Sequence, residues 1–239
     1  MSPRSRMTAE DRRRSILAAA IPLFAARGFD GTTTKMIARG AKVSEALLYR
    51  HFPSKDSIYQ ELRDYVCNQK DEVLGYMQAL PSNTQTLVFF THFLLHHIYL
   101  GDDSGHPPGL TQEHMNRLLV NSYLEDGAFA RMFLSHTLKL WKPFLLKCIE
   151  TAVSAGHMRS DSIAPVQKLW FVHHLAVALS MFDLPKEPVI HYEGAKEEVA
   201  RNAVVFALRG MGLREEIIEE IYQPEVFPDL HVILQERES

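Results

Sequence analysis

A chain of 239 residues with 46% hydrophobic and 23% charged side chains and a formal net charge of −3 has the composition of an ordinary globular protein, not of a disordered or fibrous one. Two cysteines far apart, Cys67 and Cys148, exclude a disulfide framework and a cysteine-based zinc site, and they suit a reducing cytosol. The balance of charge is uneven: residues 1–66 carry 12 Lys+Arg against 7 Asp+Glu, and the remainder carries 14 against 22, as expected of a protein that meets a polyanion with one end.

Residues 1–7, with Arg4 and Arg6, read as a basic arm. Thr8 is placed to cap a first helix, Glu10 and Asp11 lie in its first turn, and Ile16, Ala20, Leu23 and Phe24 form an apolar stripe. The run Arg12-Arg13-Arg14 before apolar residues has the look of a secretory leader, but the preceding acids and the helical stripe favour a folded helix with Pro22 inside it and Gly28 at its end. Thr32 reads as the N-cap of a second short helix with Thr33, Thr34 and Lys35 in its first turn, where free N–H groups suit a phosphate oxygen. Gly40-Ala41-Lys42 makes a turn, Ser44 to His51 a third helix, and Ser54 caps a fourth that buries Ile58, Leu62 and Tyr65. Two short helices joined by so few residues make a helix-turn-helix.

Gly28-Phe29, Thr32-Thr33, Ile37-Ala38, Val43-Ser44, Leu48-Tyr49-Arg50-His51-Phe52 and Ser54-Lys55 together resemble the DNA-binding signature of the TetR family of bacterial transcriptional repressors. The resemblance covers roughly residues 8–65 and is strongest in LLYRHFPSKDSIY. It implies that Lys35, Glu45, Ala46, Leu47, Tyr49 and His51 meet the operator and that Lys55 grips a phosphate. Thr33, Thr34, Ser44 and Arg50 complete the expected DNA-facing set. Glu45 either accepts from a cytosine N4 in the groove or simply stabilises the helix dipole. Lys42 stands where the family commonly has glycine, so a left-handed lysine is expected there.

Further along, residues 84–100 are apolar nearly all round, as a buried helix requires. Gly101 to Gly109 reads as a solvated connection, with Asp102, Asp103 and His106 the less favoured elements of a metal loop. Helices are expected over 112–124, 128–155, 165–182, 196–211 and 213–222, with Pro143 inside the second. Ala200, Ala203, Ala207 and Gly210 permit close packing on one side of the 196–211 helix, either against a neighbouring helix or, as the resemblance implies for the last two long helices, in a homodimer interface.

The expectation is an all-α protein with a helix-turn-helix domain over 1–66, a larger helical ligand-binding and dimerisation domain over 67–223, and a tail over 224–239. Its partners are a double-stranded palindromic operator, a second copy of the chain and a small lipophilic effector seated near Phe89, Phe93, His96, Trp141, Phe144, Phe171 and His174. Effector binding is expected to spread the DNA-binding domains through the helix that starts at Ser54 and so release the DNA. No catalytic residue, cofactor, membrane segment or resident metal is expected, and the location is cytoplasmic. The alternatives are a metal-responsive regulator using His92, His96, His173 and His174, an effector-free nucleoid-type DNA binder, and a helical enzyme, for which HExxH, GxSxG, GxxxxGK[ST] and dinucleotide-type glycine motifs are all missing.

Overall fold

The computed structural model describes residues 7–67, 72–101 and 109–227, and the elements found there are helical. The basic arm, most of the 101–109 connection and the tail beyond residue 227 lie outside the described residues. The chain divides into two compact units, Met1–Gln69 with His106–Leu134 and Lys70–Gly105 with Ser135–Ser239. Among the described residues no helix is long and apolar enough to cross a membrane.

In the first unit, α1 (Ala9–Arg27) is capped by Thr8, whose hydroxyl accepts from Asp11 N–H at 3.0 Å. It buries Ile16, Leu17, Ala20, Ile21, Phe24 and Ala25. Its C-terminal Gly28 has φ 67°, and a side chain there would run into the Glu125 carboxylate, so both backbone and space require glycine. The second helix, α2 (Thr34–Gly40), corrects the expected cap. Thr33 Oγ1 accepts from Met36 N–H, while Thr32 is fully buried and donates to the carbonyls of Gly28 at 2.8 Å and Leu23 at 3.1 Å.

Lys42 turns the chain at φ 56°, the left-handed lysine expected, at a cost of about 1 kcal/mol relative to glycine. Then α3 (Glu45–His51) is capped by Ser44, and α4 (Lys55–Cys67) opens with a reciprocal pair in which Ser57 N–H donates to Ser54 Oγ at 3.1 Å and Ser54 N–H to Ser57 Oγ at 3.2 Å. Ile37, Ala38, Leu48, Phe52, Ile58 and Leu62 close over the buried face of α1.

Residues from further along complete this core. Met115, Leu118 and Leu119 of α7 (Gln112–Leu124), with Phe129 from the start of α8 (Ala128–Ser154), are buried in the same cluster. The first unit is therefore not a contiguous segment ending near residue 66.

The second unit holds α5 (Glu72–Ala79), α6 (Thr84–His96), the rest of α8, α9 (Pro165–Phe182), α10 (Lys196–Met211), α11 (Glu215–Ile221) and a 3-10 turn (Pro224–Val226). The expected 84–100 helix is α-helical only to His96 and winds into a π turn over His97–Gly101. Leu87, Val88, Phe89, Phe90 and Leu95 of α6 meet Leu169, Val172, Ala176 and Leu179 of α9 and Ala200, Ala203, Val204, Ala207 and Leu208 of α10 in one apolar core. Thus Ala200, Ala203 and Ala207 pack within their own chain, and of the small-residue stripe only Gly210 faces outward.

A polar lock ties the start of α9 to the end of α10. Lys168 is 5% exposed and donates from Nζ to Asp161 Oδ2 at 2.8 Å and to the Met211 carbonyl at 2.7 Å, beside an antiparallel bridge between Met158 and Leu213. Lys168→Met keeps the length of the side chain, leaves the Met211 carbonyl without this donor and turns the exposed Asp161 carboxylate over to water. It should cost about 2–3 kcal/mol, read as a fall in the denaturant midpoint at unchanged m-value.

Candidate nucleic-acid interface

The helix-turn-helix has a clean division of faces. Leu48 and Phe52 are fully buried, whereas Thr33, Lys35, Ser44, Glu45, Ala46, Tyr49 and Arg50 are exposed, and Thr34, Leu47 and His51 are half-buried beside them. Tyr49 is 47% exposed and its hydroxyl lies 3.1 Å from Thr34 Oγ1, so α2 and α3 are linked at their outer surface. An aromatic ring whose hydroxyl sits at the outer surface can still accept from or donate to a sugar or phosphate while it holds this link. Glu45 lies in the first turn of α3, where both readings of it, base contact and dipole partner, remain open.

The end of α3 is held by a side chain that sequence reasoning passed over. The Arg13 guanidinium forms a fork on Glu61, with Nε at 2.8 and 2.7 Å from its two oxygens, and donates from Nη1 to the His51 carbonyl at 2.6 Å. It also lies 4.2 Å over the Phe52 ring. One residue of α1 therefore satisfies an orphan carbonyl at the end of α3 and an acid on α4 at once.

Lys55 is placed differently from the expectation of a freely extended phosphate grip. Its Nζ donates to the Phe29 carbonyl at 2.8 Å and sits 4.0 Å over the Phe29 ring. An ammonium has three donors, so this anchors the group while leaving others for a phosphate.

In the second unit, α6 brings together Phe89, Phe93 and His96, and Trp141 of α8 packs on Phe90 with ring centroids 4.9 Å apart. Phe144 is half-buried against the same core. Two expected members lie elsewhere: Phe171 is 58% exposed and His174 is also on the outer side of α9. The inward ring is His173, whose Nδ1 is buried without a hydrogen-bond partner. His92 and His96 stack with centroids 3.8 Å apart, His92 Nδ1 is 3.2 Å from the Tyr222 hydroxyl, and His96 Nδ1 donates to the His92 carbonyl at 3.0 Å. Among the described residues no three His, Cys, Asp or Glu side chains converge as a metal-binding set.

These rings carry a pH signature. Burial, with a smaller contribution from neighbouring His96, pushes His92 down from 6.5 to about 3, and burial with neighbouring His174 pushes His173 down to about 4. Below pH 6.5 the unfolded chain takes up protons that the folded chain refuses, so stability is fully present above that pH and falls as pH drops toward 4. Each ring should contribute a loss of about 1 kcal/mol per pH unit in that window. Thermal melts between pH 7.5 and 5 check this, and His92→Asn with His173→Asn should flatten the slope.

A buried-core pair of short helices with one polar outer face, set in a unit of basic sequence, defines a helix-turn-helix DNA-binding protein. Residues 16–62 match the model of the bacterial regulatory proteins of the tetR family. The transcriptional regulator EthR of Mycobacterium tuberculosis (strain ATCC 25618 / H37Rv) is 28% identical over 196 residues, covering 76% of this chain and 78% of EthR. The biofilm operon icaADBC negative regulator IcaR of Staphylococcus aureus (strain Newman) is 50% identical over 42 residues, covering 18% of this chain and 23% of IcaR. The fold is shared with AibR, solved with isovaleryl coenzyme A and operator DNA, at a TM-score of 0.61 and 19% identity over 82% of this chain and 97% of AibR. Over residues 16–62 the chain therefore carries a helix-turn-helix segment of the tetR type.

Proposed function

We propose that the protein is a homodimeric cytoplasmic repressor that holds a palindromic operator through α2 and α3 and is released by a small, lipophilic effector bound in its second unit. The observation that carries the DNA reading is the outward row of Thr33, Lys35, Ser44, Glu45, Ala46, Tyr49 and Arg50 over a closed apolar core. In this reading Ala46 and Leu47 touch thymine methyls, Glu45 accepts from a cytosine N4, and Lys35, Tyr49, Arg50, His51, Lys55 and the hydroxyls of Thr33, Thr34 and Ser44 serve the backbone. Two such helices one DNA turn apart, roughly 34 Å, read the two halves of a palindrome.

The effector reading is supported by the aromatic cluster of Phe89, Phe93, Trp141 and Phe144 with His96 and, in place of Phe171 and His174, the inward His173. That AibR is solved with both an acyl coenzyme A and operator DNA is consistent with it. Release requires the effector to bind one state of the dimer better than the other, and a coupling of about 1–3 kcal/mol shifts operator affinity by roughly 5–150-fold.

The experiment that tests the assigned roles is selection from a random DNA pool followed by binding in a salt series. Glu45→Ala should change which base is preferred at one position of each half-site. Lys55→Ala should weaken binding to every sequence and lower the salt slope by about one unit. An unchanged selected sequence for Glu45→Ala would leave it a dipole partner, and an unchanged slope for Lys55→Ala would remove its phosphate role.

A further inference from the structure

The last turn of α7 ends α1. In a helix that continued, Phe29 N–H would donate to the Ala25 carbonyl. Here that pair is split. The Ala25 carbonyl accepts from Asn121 Nδ2 at 2.8 Å, and Phe29 N–H donates to Glu125 Oε1 at 3.0 Å. Asn121 stands in the last turn of α7 and Glu125 is the residue that caps its C-terminus, so one end of α7 supplies both replacements. Asn121 Nδ2 also lies 3.4 Å from the Phe24 carbonyl, which accepts the Gly28 N–H at 2.9 Å. The two side chains stand between the halves of the bond that would lengthen α1 by one residue.

Residue 29 is held from its other end as well, because its carbonyl accepts from Lys55 Nζ and its ring lies under the same ammonium. That ring packs on Tyr59 of α4 with centroids 5.1 Å apart, and Tyr59 packs in turn on Phe129. Residue 29 thus connects the carboxylate of α7 to the ammonium at the start of α4, immediately after the recognition helix.

We infer that Asn121 and Glu125 are positioning residues for DNA binding: by fixing where α1 ends and where residue 29 lies, they set the place from which Lys55 reaches a phosphate. The inference rests on the reading of Lys55 as a phosphate contact. It makes α7, ninety-six residues away in sequence from Phe29, a part of the operator-binding apparatus.

A double-mutant cycle separates this from plain stabilisation. Operator affinity is measured by anisotropy on the DNA sequence the wild-type protein selects, with a thermal melt of every variant to confirm folding at the assay temperature. Glu125→Ala should weaken binding roughly 3- to 10-fold, the size of one partly solvated charged hydrogen bond. Glu125→Gln, which keeps an acceptor for Phe29 N–H, should restore most of it. Combined with Lys55→Ala, Glu125→Ala should add little, within about twofold of Lys55→Ala alone, because both act through one contact. Asn121→Ala, which leaves the Phe29 bond in place, provides the same cycle should Glu125→Ala not fold, and the same lack of further loss is expected. Losses that multiply with Lys55→Ala, or a folded Glu125→Ala that binds like wild type, overturn the inference while leaving the regulator intact. Failure of the wild-type protein to select any sequence overturns both.

Discussion

Phe171→Glu combined with Phe206→Glu should turn the protein into a monomer and reduce affinity for the full palindrome by roughly 100-fold or more. Phe171 of α9 and Phe206 of α10 are 58% and 69% exposed in the single chain, and Met181 is exposed on α9 too. Phe171, His174, Ala178 and Met181 recur three or four residues apart, so they form one stripe, and α10 places Asn202, Phe206 and Gly210 on its outer side. Large apolar side chains gathered on the outside of two neighbouring helices mark a surface that another protein covers. A two-fold interface buries each of them twice, and four phenylalanines at about 1.5–3 kcal/mol each supply a large share of what dimerisation needs. Glutamates at the same places remove that burial and set like charges against one another. Sedimentation or light scattering at micromolar protein reads the oligomeric state. A double variant that stays dimeric would place the interface elsewhere.

Arg13→Ala should reduce operator affinity by at least tenfold, about 1.4 kcal/mol or more, and lower stability by less, about 0.5–1 kcal/mol. The larger effect on DNA than on stability follows from where the guanidinium works. Its side chain and that of Glu61 are about a third exposed, at 37% and 28%, so solvent discounts the ion pair as a source of stability. Yet the same group holds the His51 carbonyl and covers Phe52, fixing the C-terminal end of the recognition helix. Small displacements of that helix are costly because base contacts demand geometry. Arg13→Lys should recover the charge and little of the affinity, since an ammonium cannot make the fork on Glu61 and reach His51 together. Equal losses for Arg13→Ala on selected and scrambled DNA would instead make Arg13 a general electrostatic contributor.

The features that sequence disclosed best are those marked by local chemistry. The expected spans 165–182 and 196–211 coincide with α9 and α10, where Pro165 opens the one helix and an acidic first turn and Gly212 bracket the other. Lys42 was legible because it stands where the resembled family commonly has glycine, the residue a positive φ favours. Thr32, Thr33 and Thr34 offered three equivalent hydroxyls, and only the burial of Thr32 against the end of α1 decides that Thr33 caps α2.

Long-range partners were not legible. Arg13 sits in a run with Arg12 and Arg14, and nothing local says which of the three meets Glu61. The stripe of Met115, Leu118 and Leu119 declares that α7 packs but not that it packs in the same core as α1. The choice between His173 and His174 turns on one step of 100° in a helix that is apolar on both sides. Such assignments depend on tertiary neighbours, which periodicity does not carry.

The most direct test of the account is binding of the purified protein to the DNA upstream of its own gene, by anisotropy with scrambled competitor across a salt series. Tight, competitor-resistant binding at two subunits per palindrome is expected, with affinity falling steeply as salt rises. Binding that scrambled DNA displaces at equal concentration, or no binding at low salt, would contradict it.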